Sequence, residues 1–259
     1  MTKNQKSKTK PEIILDTLIV LLVGVMLFSG YTLVTSLNEY RKGRAEYDDI
    51  RNQMIRTGDG SESDPVTDGY LRFDFNGLRT INPDFKCWID IPGTRISYPV
   101  VQGKDNDYYL RRTFSGNWNV GGVIFLDYNA LGELNGKNTV IYGHRMNDGS
   151  MFTDLKKFLD RSFAEENREV HLYREGEVLI YTIFSASKTD VYCDCYQMVL
   201  PDDETFMNWI ASQVARSEID FGVLPDENSR ILTLSTCVGN GEETGRYVVQ
   251  AVLTSIISR

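Results

Sequence analysis

Between residues 87 and 257 the chain breaks into eight short runs rich in β-branched and aromatic side chains, at 87–91, 96–101, 122–126, 138–142, 169–173, 178–187, 230–236 and 247–257, with turn residues between them. Such runs read as strands, and eight short strands in one domain predict a closed β-barrel or a sandwich. Two helices interrupt them. One is expected over 151–159. A longer one over 202–214 places Phe206, Trp209, Ile210 and Val214 on one face, with Asp202 and Asp203 suited to its positive end.

At 259 residues and 41% hydrophobic content, the chain can bury one full core and still carry a further segment. That segment is N-terminal. Residues 13–34 are almost wholly apolar, with Asp16 the one charge, and the 18 residues 17–34 are uninterrupted, enough to cross a bilayer as a helix. A cleaved signal peptide would have a shorter apolar region and a small-residue cleavage site. The flank here is Thr35-Ser36-Leu37-Asn38-Glu39-Tyr40, so a retained anchor is expected. Lys3, Lys6, Lys8 and Lys10 precede the span. Residues 1–12 are therefore expected as a cytoplasmic basic tail, 13–34 as a single-pass anchor in the lipid bilayer, and the rest as extracellular. Leu37, Tyr40, Tyr47, Ile50 and Met54 recur at helical spacing among charged residues. That helix either stands in solvent or packs on the body. Residues 57–65 have the composition of a hinge, so 35–69 reads as helix and linker and 70–259 as the β-rich domain.

The net charge of −8 is uneven, with +3 on residues 1–12 and −11 on the remainder. An acidic body lacks the clustered Lys and Arg that phosphate binding needs, which argues against a nucleic-acid partner and equally against a polyanionic substrate. Cys87, Cys193, Cys195 and Cys237 do not resemble the framework of a small disulfide scaffold. A Cys193–Cys195 bridge would be strained by its tiny loop. At least one thiol needs another role.

The chain has only two histidines. His171 sits in a strand among charged neighbours, where a half-exposed structural role is expected. His144 follows the apolar strand 138–142 and Gly143, and precedes the polar loop 145–150. Strand ends beside loops are where rigid scaffolds present catalytic groups. Cys237 is placed equivalently, closing the run 230–236 and opening the glycine-containing loop 238–245, after which Arg246 begins the last strand. Alone, Cys237 would be a small buried hydrophobe and Arg246 a surface cation. Three strand ends carrying His, Cys and Arg weigh against that reading.

The run Thr233-Leu234-Ser235-Thr236-Cys237, followed by Arg246 and preceded by the strand end Tyr142-Gly143-His144, resembles the sortase family over roughly residues 78–259. The stretches 81–84, 88–94 and 98–106 are similar to class B sortases in particular, as are the N-terminal helix and the long helix before the cysteine strand, which class A enzymes usually lack. The resemblance implies a mainly β fold: an eight-stranded β-barrel with an N-terminal helical extension and a long inserted helix. It matches the family's catalytic residues to His144, Cys237 and Arg246, and its substrate-groove positions to Asn106, Leu110, Ser235 and Thr236. The segment 188–200 would be the groove's mobile wall, with Tyr196 a further contact. Cys193 and Cys195 are not explained by the resemblance.

By the same resemblance, the chain is a membrane-anchored cysteine transpeptidase of a Gram-positive-type surface. It would cleave a C-terminal sorting signal on surface proteins and join them to an amino group of a peptidoglycan precursor, without metal or organic cofactor. A pilin polymerase is the alternative within the family. The residue types suit such chemistry. A free thiol is only a few per cent thiolate at neutral pH and needs a proton acceptor or a nearby positive charge. A histidine can supply both, and an arginine can stabilise the oxyanion made when the thiol attacks a carbonyl.

Competing readings fit less well. Papain-like enzymes place the cysteine first, whereas His144 precedes Cys237 by 93 positions here. L,D-transpeptidases have a much shorter gap and an arginine almost adjacent to the cysteine. A zinc site from His171, Cys193 and Cys195 has suitable ligand types but weak spacing. A non-catalytic, membrane-tethered surface receptor would explain the anchor and the strands, but not the order of Cys237, His144 and Arg246.

Overall fold

The computed structural model describes residues 10–55, 69–130, 134–239 and 242–259. Lys3, Lys6 and Lys8, the expected hinge at 57–65, and Asn240 and Gly241 of the expected loop lie outside the described residues. Contacts divide the chain into two units, one ending at Lys42 and one running from Gly43 to Arg259. Within the first unit, helix α1 (Lys10–Met54) carries the apolar stretch, long and apolar enough to cross a membrane. Pro11 falls in its first turn, where a missing N–H costs nothing.

The second unit takes in the last turns of α1, which bury Tyr47 and Ile50. The Tyr47 hydroxyl donates to the Gly122 carbonyl at 2.6 Å, and Arg51 donates to the Ser97 carbonyl at 2.8 Å. These turns therefore pack on the body. After the short helix α2 (Phe75–Ile81) come β1 (Phe85–Asp90), β2 (Ser97–Val101), β3 (Ile124–Leu126) and β4 (Asn138–Tyr142). Helix α3 (Arg161–Glu166) leads to the hairpin of β5 (Glu169–Arg174) and β6 (Glu177–Asp190). Helix α4 (Asp203–Arg216) precedes β7 (Ile231–Gly239) and β8 (Glu242–Ser258).

The strands close in the order β1-β2-β3-β4-β7-β8-β6-β5, with β5 pairing back to β1. Closure removes the free sheet edges that an open sandwich would leave. Most neighbours are antiparallel, but β2–β3 and β4–β7 are parallel. The inserted helix forms where the sequence places it. Asp202 caps it by accepting from the Thr205 N–H at 2.7 Å, and Phe206, Trp209 and Ile210 pack on Phe184, Ile231 and Val252 of three strands.

Three expectations need correction, and one is refined. The helix expected over 151–159 forms over Phe152–Leu159 as 3₁₀ turns. Their Thr153 hydroxyl bonds back to Met146, and their Asp154 carboxylate accepts from Arg95, local bonds that compete with regular helix. Cys237 lies inside β7, not after its end, because the β7–β8 ladder continues beyond it to Gly239 and Glu242. Arg246 correspondingly lies within β8 rather than at its start. His171 is buried rather than half-exposed: the Tyr70 and Tyr173 rings pack against it, and Nε2 bonds to Glu169 at 2.8 Å.

Candidate active site

Strand pairing brings together residues far apart in sequence. On the parallel pair β4–β7, Tyr142 stands opposite Ser235, and the Gly143 N–H donates to the Ser235 carbonyl at 3.2 Å. Two positions beyond that pair stand His144 on one segment and Cys237 on the other. On the antiparallel pair β7–β8, Cys237 stands directly opposite Arg246. Three adjacent barrel segments thus deliver the three side chains to one groove of about 380 Å³. Asn106, Leu110, Tyr196, Ser235 and Thr236 line the same groove, so all eight residues singled out in the sequence meet there.

His144 is held from two sides. Its backbone carbonyl accepts from the Phe152 N–H at 2.9 Å. Its ring Nε2 lies 2.7 Å from the Leu110 carbonyl oxygen. A carbonyl can only accept, so Nε2 carries the hydrogen and Nδ1 keeps the lone pair. Burial lowers the ring's pKa below its ordinary value; the Leu110 bond opposes this and the Arg111 charge adds to it. His144 is therefore neutral at pH 7, a form that can accept a proton.

The Leu110 carbonyl is itself fixed by close packing. Gly122 has φ +56°, and a Cβ there would lie 2.7 Å from the backbone oxygens of both Tyr109 and Leu110. Only glycine permits that approach. Gly143 is equally constrained: a Cβ would lie 2.5 Å from Ile124 Cδ1 and 2.8 Å from the Phe152 ring.

The groove walls are tied down by polar contacts. Arg246 Nη1 donates to the carbonyls of Glu243 at 3.1 Å and Gly245 at 2.8 Å, bracing the guanidinium against its own strand. Tyr196 and Ser235 share a hydrogen bond of 2.8 Å between their hydroxyls. The Thr236 hydroxyl is buried without a hydrogen-bond partner among the described residues. The buried Asp127 carboxylate accepts from Asn106 Nδ2 at 2.9 Å and from the Tyr142 hydroxyl at 3.0 Å. Tyr142 and Phe125 line the groove without having been singled out by sequence as groove residues. Asp127, also not singled out, lies outside the lining but holds Asn106, whereas Val191 falls in the segment 188–200 expected as the groove wall. Tyr142 alone had a signal, in its place two residues before His144; a lone Asp after an apolar strand has none.

The other cysteines differ in kind. Cys87 is fully buried, and burial pushes its thiol up to about 12. Cys193 and Cys195 lie outside the groove lining. His171 is engaged by Glu169, and among the described residues no three His, Cys, Asp or Glu side chains converge as metal ligands would.

The sortase domain family matches this sequence over residues 89–254, which spans the barrel from β1 into β8 and includes His144, Cys237 and Arg246. The chain belongs to the sortase family. Sortase B of Listeria monocytogenes is 35% identical to it over 244 residues, covering 92% of this chain and 95% of that protein. The X-ray structure of Clostridium perfringens sortase B superposes with a TM-score of 0.65 at 35% identity, over 70% of this chain and 99% of that one. The Staphylococcus aureus sortase B–substrate complex matches with a TM-score of 0.70 at 28% identity, over 85% of this chain and 98% of that one. The eight-stranded barrel and class B character expected from the sequence are thereby established, and with them a cysteine transpeptidase activity.

One substitution tests how tightly this sortase holds its histidine. Gly143→Ala should cost about 1–3 kcal/mol through overpacking and should lower kcat/KM beyond that cost, because the strain falls on the residue before His144. Thermal denaturation and turnover are measured together. Unchanged turnover in a destabilised protein would show that His144 placement does not depend on Gly143.

Proposed function

We propose that this sortase is a membrane-anchored enzyme that cleaves the C-terminal sorting signal of surface proteins through a thioacyl intermediate on Cys237 and passes the acyl group to an amine of a peptidoglycan precursor. The observation that carries this reading is the convergence of Cys237, His144 and Arg246 on one groove from three adjacent barrel segments. A relative solved with its substrate supports reading the groove as the path of the signal peptide.

His144 Nδ1 takes the Cys237 proton as sulfur attacks the scissile carbonyl. The Arg246 guanidinium, always charged and braced on β8, stabilises the resulting oxyanion. The imidazolium returns its proton to the departing amine, and the C–N bond breaks to leave the thioacyl enzyme. An incoming amine then attacks, His144 removes its extra proton, and sulfur leaves as the thiol is restored. The buried Thr236 hydroxyl and the Asp127-held Asn106 supply polar groups for the peptide backbone. Ser235 and Tyr196, hydroxyl to hydroxyl, form the facing wall beside Leu110.

Residues 13–34 would anchor the enzyme with its N-terminus in the cytoplasm and its barrel outside, following the lysines that precede the span. Protease applied to intact cells should digest the barrel domain and spare residues 1–12. Digestion of the barrel only after lysis reverses this orientation.

The decisive measurement concerns the second half-reaction. Hydroxylamine or a peptidoglycan-like amino peptide should raise cleavage of a sorting-signal peptide and be found covalently in the product by mass spectrometry, because a groove that orients an amine favours aminolysis over hydrolysis. Hydrolysed acid as the only product with every amine offered, native precursor included, would rule out the proposed acceptor.

A further inference from the structure

Cys193 caps a 3₁₀ turn (Asp194–Tyr196) whose last residue, Tyr196, lines the groove. The Cys195 N–H donates to Cys193 Sγ at 3.2 Å. Cys195 thus reaches the Cys193 sulfur through its backbone N–H. The two cysteines differ in access: Cys193 is half-exposed, beside a Tyr192 side chain that is 84% exposed, whereas Cys195 is buried. The turn is clamped from both directions. Trp209 Nε1 donates to the Asp194 carbonyl at 2.8 Å, Arg216 pairs with the Asp194 carboxylate at 2.7 Å, and Asn138 Nδ2 donates to the Cys195 carbonyl at 3.0 Å.

We propose that Cys193 and Cys195 are a redox-active dithiol, with Cys193 the attacking and Cys195 the resolving sulfur, whose closure to a disulfide reshapes the groove wall. Three observations support those roles. Cys193 is half-exposed, the buried Cys195 directs its N–H at the Cys193 sulfur, and Arg216 pairs with the Asp194 between them. Hydrogen bonding from Cys195, thiol first and then N–H, and from Thr189 outweighs burial and holds the Cys193 thiol down at about 6. The Cys195 thiol is raised by the same contact and by burial, which keeps it protonated until the second step.

The oxidant is a low-molecular-weight disulfide, RSSR. Cys193 thiolate attacks one of its sulfurs, forming a Cys193–SR mixed disulfide and releasing RS⁻, which takes up a proton. Cys195 then loses its proton and attacks Cys193 Sγ, expelling the second RS⁻. The sum converts two cysteine thiols and RSSR into one Cys193–Cys195 disulfide and two RSH. A ring closed across one residue is tight, and tight disulfides are readily reduced, so the mark is reversible. Closure draws the buried Cys195 side chain onto Cys193 Sγ, the sulfur on which its own N–H now rests. It therefore displaces the turn in which the Gln197 N–H donates to the Asp194 carbonyl, and with it Tyr196, whose hydroxyl meets Ser235.

The test uses the full chain in detergent micelles, with Cys237→Ser so that the groove thiol cannot react. Glutathione disulfide is added and the digested protein is read by mass spectrometry without reduction. The expected product is a peptide spanning both cysteines, lighter by two hydrogens and restored by a phosphine reductant. In the same background, Cys195→Ser should instead retain glutathione on Cys193. Free thiols after treatment, or a stable glutathione adduct on the protein that still has Cys195, would overturn the dithiol. Hydrogen exchange, which needs no turnover, reads the coupling to the wall: the Gln197 amide should exchange at least several-fold faster in the oxidised form. Equal exchange in both forms would overturn the coupling.

Discussion

Cys237→Ala should abolish transpeptidation and thioacyl capture, a loss on the order of 10⁵-fold or more by analogy with other nucleophile deletions. No second thiol can substitute. Cys87 is sealed in the core with its thiol pushed up to about 12, and Cys193, though more acidic, lies outside the groove lining. The residue sits within the β7–β8 ladder, whose hydrogen bonds are backbone ones, so alanine should leave the barrel intact. The measurement pairs product formation from a sorting-signal peptide with a thermal melt. Appreciable turnover in a normally melting variant would remove Cys237 from its role and, with it, the mechanism proposed here.

His144→Ala should cost on the order of 10²- to 10⁴-fold in kcat/KM, the range for a positioned general acid and base. The pH profile is the more discriminating readout. Burial lowers the His144 pKa from 6.5, so the proton-accepting neutral form prevails above that value and is lost only as pH falls further. The acid limb of kcat/KM should accordingly lie below pH 6.5 and disappear from the residual activity of the alanine variant. A limb above 6.5, or one retained after substitution, would assign the titration to another group.

The strand count was legible because barrel strands buried on one or both faces leave apolar runs that turns must interrupt, as at 87–91 and 138–142. The boundaries were less so. β6 and β8 run to 14 and 17 residues, and their ends lie in polar stretches such as Lys188-Thr189-Asp190, where pairing with a neighbour, not side-chain pattern, sustains the strand. The same cause moved Cys237 and Arg246 from strand ends into a ladder. Cys237, His144 and Arg246 were visible because each carries chemistry that an ordinary strand does not need. Asp127 and the Leu110 carbonyl were not, since one is a common residue type and the other is backbone, legible only once the fold brings it to His144. The burial of His171 likewise depends on Tyr70, about a hundred residues earlier in sequence.

The Tyr47 contact bears on how a soluble enzyme should be cut from this chain. A fragment beginning at Gly69 looks natural, since it starts where the β-rich sequence begins. It would lack the hydroxyl that satisfies the Gly122 carbonyl, and the Arg44 and Arg51 bonds to Asp148 and Ser97 would be lost as well. Gly122 packs against the Leu110 backbone, and Leu110 carries the carbonyl on which His144 rests. Trimming the helix therefore loosens the histidine's support from behind, and a fragment that expresses well could still turn over poorly. The place to cut lies before Gly43, between the apolar span and the first buried turn.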